Sequence, residues 1–192
     1  MAFKEEEIGN GDLEAILFLL AQVSWMVAFV YDNKIFLART KVARLDEQAN
    51  FRGFTQWWTA ADIFTLLNVL FTLKRLIKER QNIVSNEVNG RFNNGSVTEV
   101  ANRLAQINKE IKFATFRLIK CVMNLLVSGE FSGLWHVLFG SRIDPGTQGL
   151  FGMISGLMGV YEEMCYLQGG DKRISSVDAN LKKIFGVKDK DK

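Results

Sequence analysis

A lone histidine and two distant cysteines are the first residues in this 192-residue chain to weigh for metal or nucleophile chemistry. Their surroundings argue against it. His136 sits in "GLWHVLFG" with no Cys or His at metal-ligand spacing and reads as a packed or interfacial side chain. Neither Cys121 nor Cys165 has a neighbouring base to activate a thiol, and both lie in apolar helical stretches that suit a reducing compartment. No strand is expected, so no glycine-rich phosphate loop follows one. The sequence therefore predicts no enzyme, no metal site and no cofactor. Nucleic acid is not a favoured partner either. The net charge is +3, and Trp57 and Trp58 suit an interfacial aromatic anchor better than a base-stacking platform.

Three patterned surfaces stand out instead. Asp62, Asn68 and Arg75 belong to a narrow polar stripe that recurs every three or four residues and runs from Thr59 to Glu79. The rest of that circumference is apolar, so the stripe is expected to face a partner helix or an aqueous path. A second surface interleaves Lys109, Lys112, Phe113, Phe116, Arg117 and Lys120 at helical spacing. Buried rings with snorkelling cations suit an anionic membrane surface; a charged exterior with two stray rings fits the same pattern. The third is "GLFGMISGLMGVYEEM", in which Gly149, Gly152, Gly156 and Gly159 fall three, four and three residues apart. Each glycine costs a helix about 0.5–1 kcal/mol relative to alanine. Gly152 and Gly156 have the small-xxx-small spacing that lets apolar helices approach closely, and Ser155 and Gly159 extend the smooth surface. Glu162 and Glu163 are expected where that helix meets water.

The elements that must position these surfaces are long helices. One proline in the whole chain favours them, and 48% hydrophobic residues alongside 23% charged ones imply that the apolar residues are clustered. Ala15 to Tyr31 carries no charge, and its Leu, Ile, Phe and Val residues, at roughly −0.5 kcal/mol each, outweigh Gln22 and Ser24 on an insertion scale. That segment is a candidate membrane span. "WWTAADIFTLLNVLFTLKRLIKER" forms the next helix, marginal for insertion because Asp62 opposes it. A linker rich in Asn, Gly and Ser covers residues 82–99, and a third helix runs from about Glu99 to Ser128. Its seam (Val100, Leu104, Ile107, Ile111, Ala114, Leu118, Cys121 and Leu125) alternates in steps of four and three, the pattern of helix-on-helix packing. The fold class is thus all-α, a membrane-associated helical bundle with two or more apolar helices and one basic-aromatic amphipathic helix. Residues 1–170 form one domain. Residues 171–192 are a polar, basic tail with a short amphipathic helix around Val177 to Phe185.

The ordered patterns resemble the peroxin-11 family. "VAFVYDNKIFLARTKV" is similar to the family's apolar helix followed by a Tyr/Asp/Asn-type triplet, and "GFTQWWTAADIFTLLNVLFTLKRLIKER" to its next helix. "FSGLWHVLFGSRIDPGTQGLFGMISGLMGVYEEM" resembles its ending, a Gly-Leu-Trp element ahead of a glycine-rich apolar helix. Asp32, Asn33, Gly133, Leu134, Trp135 and the 149–159 glycines match the family pattern. The resemblance implies a peroxisomal (or glycosomal) membrane protein that elongates and divides the organelle. It further implies amphipathic-helix insertion into membrane lipid, self-association into a homo-oligomer and a dynamin-like GTPase as fission partner. Family members usually carry a helical region ahead of the first apolar helix, whereas here that helix begins near residue 13. "KDKDK" resembles a di-lysine signal and would place the tail in the cytosol. Two other readings use the same residues. One is an oligomeric pore for small metabolites along the polar stripe, and the other is a soluble all-helical adaptor.

Overall fold

The structure, a computed structural model, describes residues 10–88 and 97–169. All regular structure among them is helical: α1 (Asn10–Arg39), α2 (Glu47–Val88), α3 (Val97–Phe131), the short α4 (Leu134–Phe139) and α5 (Pro145–Gly169). The fold class is all-α, as the sequence predicts. The expected linker is shorter than its composition suggests, because α2 continues through residues 82–88. Asn and Ser are poor helix formers in isolation, but a helix already extended for many residues propagates through them at small cost per residue. The expected tail helix and residues 171–192 lie outside the described residues.

Each long helix packs antiparallel on the next, α1 on α2, α2 on α3 and α3 on α5. The contacts repeat every seven residues. On α3 the buried positions are Val100, Ile107, Ala114, Cys121 and Ser128; on α2 they are Thr55, Asp62, Val69 and Leu76. Ala21, Ala28 and Ile35 repeat on α1, and Ser155 and Glu162 on α5. A seven-residue repeat keeps one seam facing its partner, the geometry of left-handed helix pairs. Many of these residues are small or carry a hydroxyl, so the helices meet with their backbones close.

The array is an open row, and its outer flanks are apolar. Met26 and Phe29 on α1 are 68% and 63% exposed, and Leu157 on α5 is 64% exposed. Of the described helices, α1 alone is long and apolar enough to cross a membrane, with a mean hydropathy of 2.0 over its most apolar stretch.

Local chemistry sets the joints. α1 ends where Lys41 turns left-handed, with φ 57°, and Asp46 caps α2 by accepting the Ala49 amide at 3.0 Å. Gly53 lets the Tyr31 ring lie on the α2 backbone, since a Cβ there would stand 2.5 Å from the ring. α4 is bracketed by Gly133 (φ 77°) and Gly140 (φ 67°), left-handed positions that only glycine adopts readily. Asp144 caps α5 with Pro145 in its first turn, its carboxylate accepting the Gly146 and Thr147 amides at 2.9 and 3.2 Å.

Candidate membrane and helix-packing sites

The polar stripe of α2 is spent on its neighbours. At its first turns Thr59 donates to Ser128 O at 2.9 Å, and Ser128 Oγ donates to Asp62 Oδ2 at 2.7 Å. Asp62 is buried there, held by a hydroxyl from α3. Further along, Glu14 of α1 collects the stripe. Asn68 donates to its backbone carbonyl at 2.6 Å, Thr72 to one carboxylate oxygen at 3.3 Å and Arg75 to the other at 2.9 Å. Hydrogen-bonded carboxylates like these fix register between helices more than they add stability. Glu79 then meets Arg103 of α3. The stripe thus ties α2 to a partner on either side, and part of it also lines a trough. Phe18, Gln22 and Trp25 of α1, Asp62 of α2, Lys120 of α3 and Glu162 of α5 border that trough of about 190 Å³.

The basic-aromatic surface of α3 is divided between two environments. Lys109 and Lys112 are exposed, and Phe113 is half-buried. Phe116 lies 5.3 Å from the Tyr161 ring of α5. Arg117 and Lys120 reach Glu162, the first at 3.2 Å and the second at 2.6 Å. Glu162 is 3% exposed, so it does not mark a water boundary as its sequence position suggests. Desolvating a carboxylate is costly unless it is paired, and α3 supplies two cations at i and i+3. Glu163, its neighbour, is exposed.

The glycines of α5 are likewise split. Ser155 is buried and hydrogen-bonds Asn124 Oδ1, Gly152 lies against Val127, and Gly159 lies near Lys120 Nζ. Together with Glu162 they make a docking face for α3 that is built mostly of small and polar residues, flanked by the Phe116–Tyr161 contact. Gly149 and Gly156 meet open space. The face that packs on α3 is therefore 152–155–159–162, not the 152–156 pair.

Trp57 is exposed at the surface, whereas Trp58 lies in an aromatic cluster with Phe54 (5.5 Å) and Phe131 (6.2 Å). Asp32 and Asn33 are exposed near the end of α1, where Asn33 donates to Phe29 O at 2.9 Å. Gly133 and Leu134 open α4, and the Trp135 indole donates to Leu126 O at 2.9 Å. Gly129 makes room for that indole, because a Cβ there would stand 2.7 Å from Trp135 Nε1. Sequence reasoning missed Gly129, Glu14 and Ser128. Ser128 was one heptad beyond Cys121 and could have been found by extending the seam.

No curated protein and no solved structure matches the chain. The family model of peroxisomal biogenesis factor 11 (PEX11) matches residues 6–164, from ahead of α1 into the last turns of α5. That match spans most of the chain and every long helix, so this protein belongs to the peroxisomal biogenesis factor 11 family, whose members serve peroxisome biogenesis at the peroxisomal membrane.

Proposed function

We propose that this protein elongates peroxisomal membranes and prepares them for fission, wedging helix faces into one leaflet and clustering through self-association. The observation that carries this reading is the pair of unpartnered apolar flanks. α1 presents Met26, Phe29 and Phe36 outward, and α5 presents Leu150, Met153, Leu157 and Val160 in steps of three and four. An exposed apolar stripe of this length marks a membrane or protein contact. Lys109 and Lys112 stand ready for anionic headgroups beside Phe113. A dynamin-like GTPase would act on the tubules so formed, with the tail on the cytosolic side.

The test is expression of a C-terminally tagged chain in cells carrying a peroxisomal marker. Elongated or more numerous peroxisomes are expected, and a tag on another membrane or in the cytosol would sink the reading. Each lysine near an anionic leaflet contributes about 1 kcal/mol. Lys109→Gln with Lys112→Gln should therefore weaken membrane attachment of this face by roughly thirtyfold and shorten the organelles. Unchanged organelle length in that variant would remove α3 from the mechanism.

The trough favours a second reading, an oligomeric pore. Its lining carries Gln22, Asp62, Asn68, Arg117 and Lys120, polar side chains that gain from a watered path. Asp62→Asn should then change the ion selectivity of single channels in planar bilayers, and a bilayer silent with the unaltered protein would end this reading.

A further inference from the structure

A cleft of about 440 Å³ opens at the end of the row where α2 begins and α3 ends. Arg52, Ser132, His136, Arg142 and Gln148 contribute to its wall, and Glu130 is its only carboxylate. That carboxylate is engaged, since Glu130 Oε2 accepts the Ile143 amide at 3.0 Å. The two guanidinium groups are not: among the described residues neither Arg52 nor Arg142 has an ion-pair partner. Gln148 adds a buried side-chain amide nitrogen with no hydrogen-bond acceptor. A buried donor without an acceptor costs about 1–3 kcal/mol. Free guanidinium forks beside such a donor form a wall that lacks an oxygen-rich anion. Phosphate fits best, because its oxygens accept bidentate arginine and amide hydrogen bonds together.

The rim says where that phosphate comes from. α4 borders the cleft through His136, and the three residues that follow, Val137, Leu138 and Phe139, are all exposed, Val137 at 81%. Left-handed glycines bound this apolar knob at both ends, and the Trp135 indole, stacked on Phe139, ties it to Leu126 O. A soluble phosphate ester has no use for it, whereas a phospholipid presents acyl chains beside its phosphate. We propose that the cleft binds the phosphate of an anionic phospholipid headgroup while α4 sits among the acyl chains next to it. The site lies at the C-terminal end of α3, about five turns beyond Lys112 near the helix's middle, so it does not share residues with the Lys109 and Lys112 surface.

The full chain, purified in a non-ionic detergent, would be titrated calorimetrically with short-chain phosphatidic acid, short-chain phosphatidylcholine and glycerol 3-phosphate. Phosphatidic acid should bind, with the other two weaker by about tenfold or more. Arg52→Gln with Arg142→Gln should cut phosphatidic acid affinity by at least about tenfold, whereas Lys109→Gln with Lys112→Gln should leave it unchanged. Arg142→Gln alone, in an exposed loop, guards against misfolding of the double variant and should lower affinity in the same direction. Equal affinity of the arginine variants would overturn the site. Equal affinity for glycerol 3-phosphate would overturn the lipid assignment in favour of a soluble phosphate. Neither outcome bears on organelle elongation, which is read in cells.

Discussion

Replacing Glu162 with glutamine should loosen α5 from the rest of the protein. The carboxylate is buried between Arg117 and Lys120, and the contact surface around it consists of Gly152, Ser155 and Gly159. The residues that meet α3 on this face are small and polar, so the charge cluster carries part of the attachment of α5, beside the Phe116–Tyr161 contact. The amide deprives two neighbouring cations of the carboxylate they share. Removing one partner of a fully buried pair costs about 3–5 kcal/mol. Arg117 and Lys120 retain partial access to water, which lowers the expected loss to about 2–3 kcal/mol. Thermal unfolding of the detergent-solubilised protein, followed by helical circular dichroism, would register it, together with faster proteolysis within α5. Substituting Arg117 and Lys120 by methionine in the same protein should recover much of the loss, because an apolar replacement of a buried ionic cluster is often neutral. If Glu162→Gln melts like the parent, α5 is held by contacts other than this cluster.

The second large effect is expected at Gly129. Alanine there places a methyl 2.7 Å from the Trp135 indole nitrogen, within the ring's own volume. The indole is rigid and tethered to Leu126 O, so it must swing away and release its hydrogen bond. Overpacking of this kind costs about 1–3 kcal/mol. Because Trp135 anchors α4 against α3, Gly129→Ala should also shift tryptophan emission to longer wavelength as the indole meets water. Gly156→Ala is the contrasting case. Its Cβ would meet open space, and alanine improves helix propensity by up to about 1 kcal/mol. A destabilised Gly156→Ala protein would mean that this face is covered by a second copy.

The long helices were legible because their signals were long: an uncharged run in α1, an apolar circumference broken by one polar stripe in α2 and a four-three seam in α3. What the sequence could not supply was the assignment of faces. Lys120 and Lys112 look alike in a helical projection, yet one meets Glu162 of α5 and the other meets solvent. The difference lies on a helix some forty residues away. Glu162 misleads for the same reason, since a glutamate after an apolar run suggests a boundary until the cations opposite it are known. The glycine pattern pointed to close packing on α5, but the packed face depends on how the helix is rotated. Here it includes Ser155 and leaves Gly156 outside. The family resemblance needed none of these contacts, because it rested on the order of the segments.

The open row has a consequence for how the protein comes into being. Each long helix rests on the one made just before it, so no contact needs to wait for the far end of the chain. Topologies dominated by such near-sequence contacts close quickly, with little loop entropy to overcome. The α1–α2 hairpin can pair once α2 has been synthesised, α3 then finds its template ready, and α5 arrives last on a face that carries the Glu162 charge cluster. Disassembly should run in the opposite order. The edge held by a few polar contacts opens first, while the α1–α2 pair outlasts the rest.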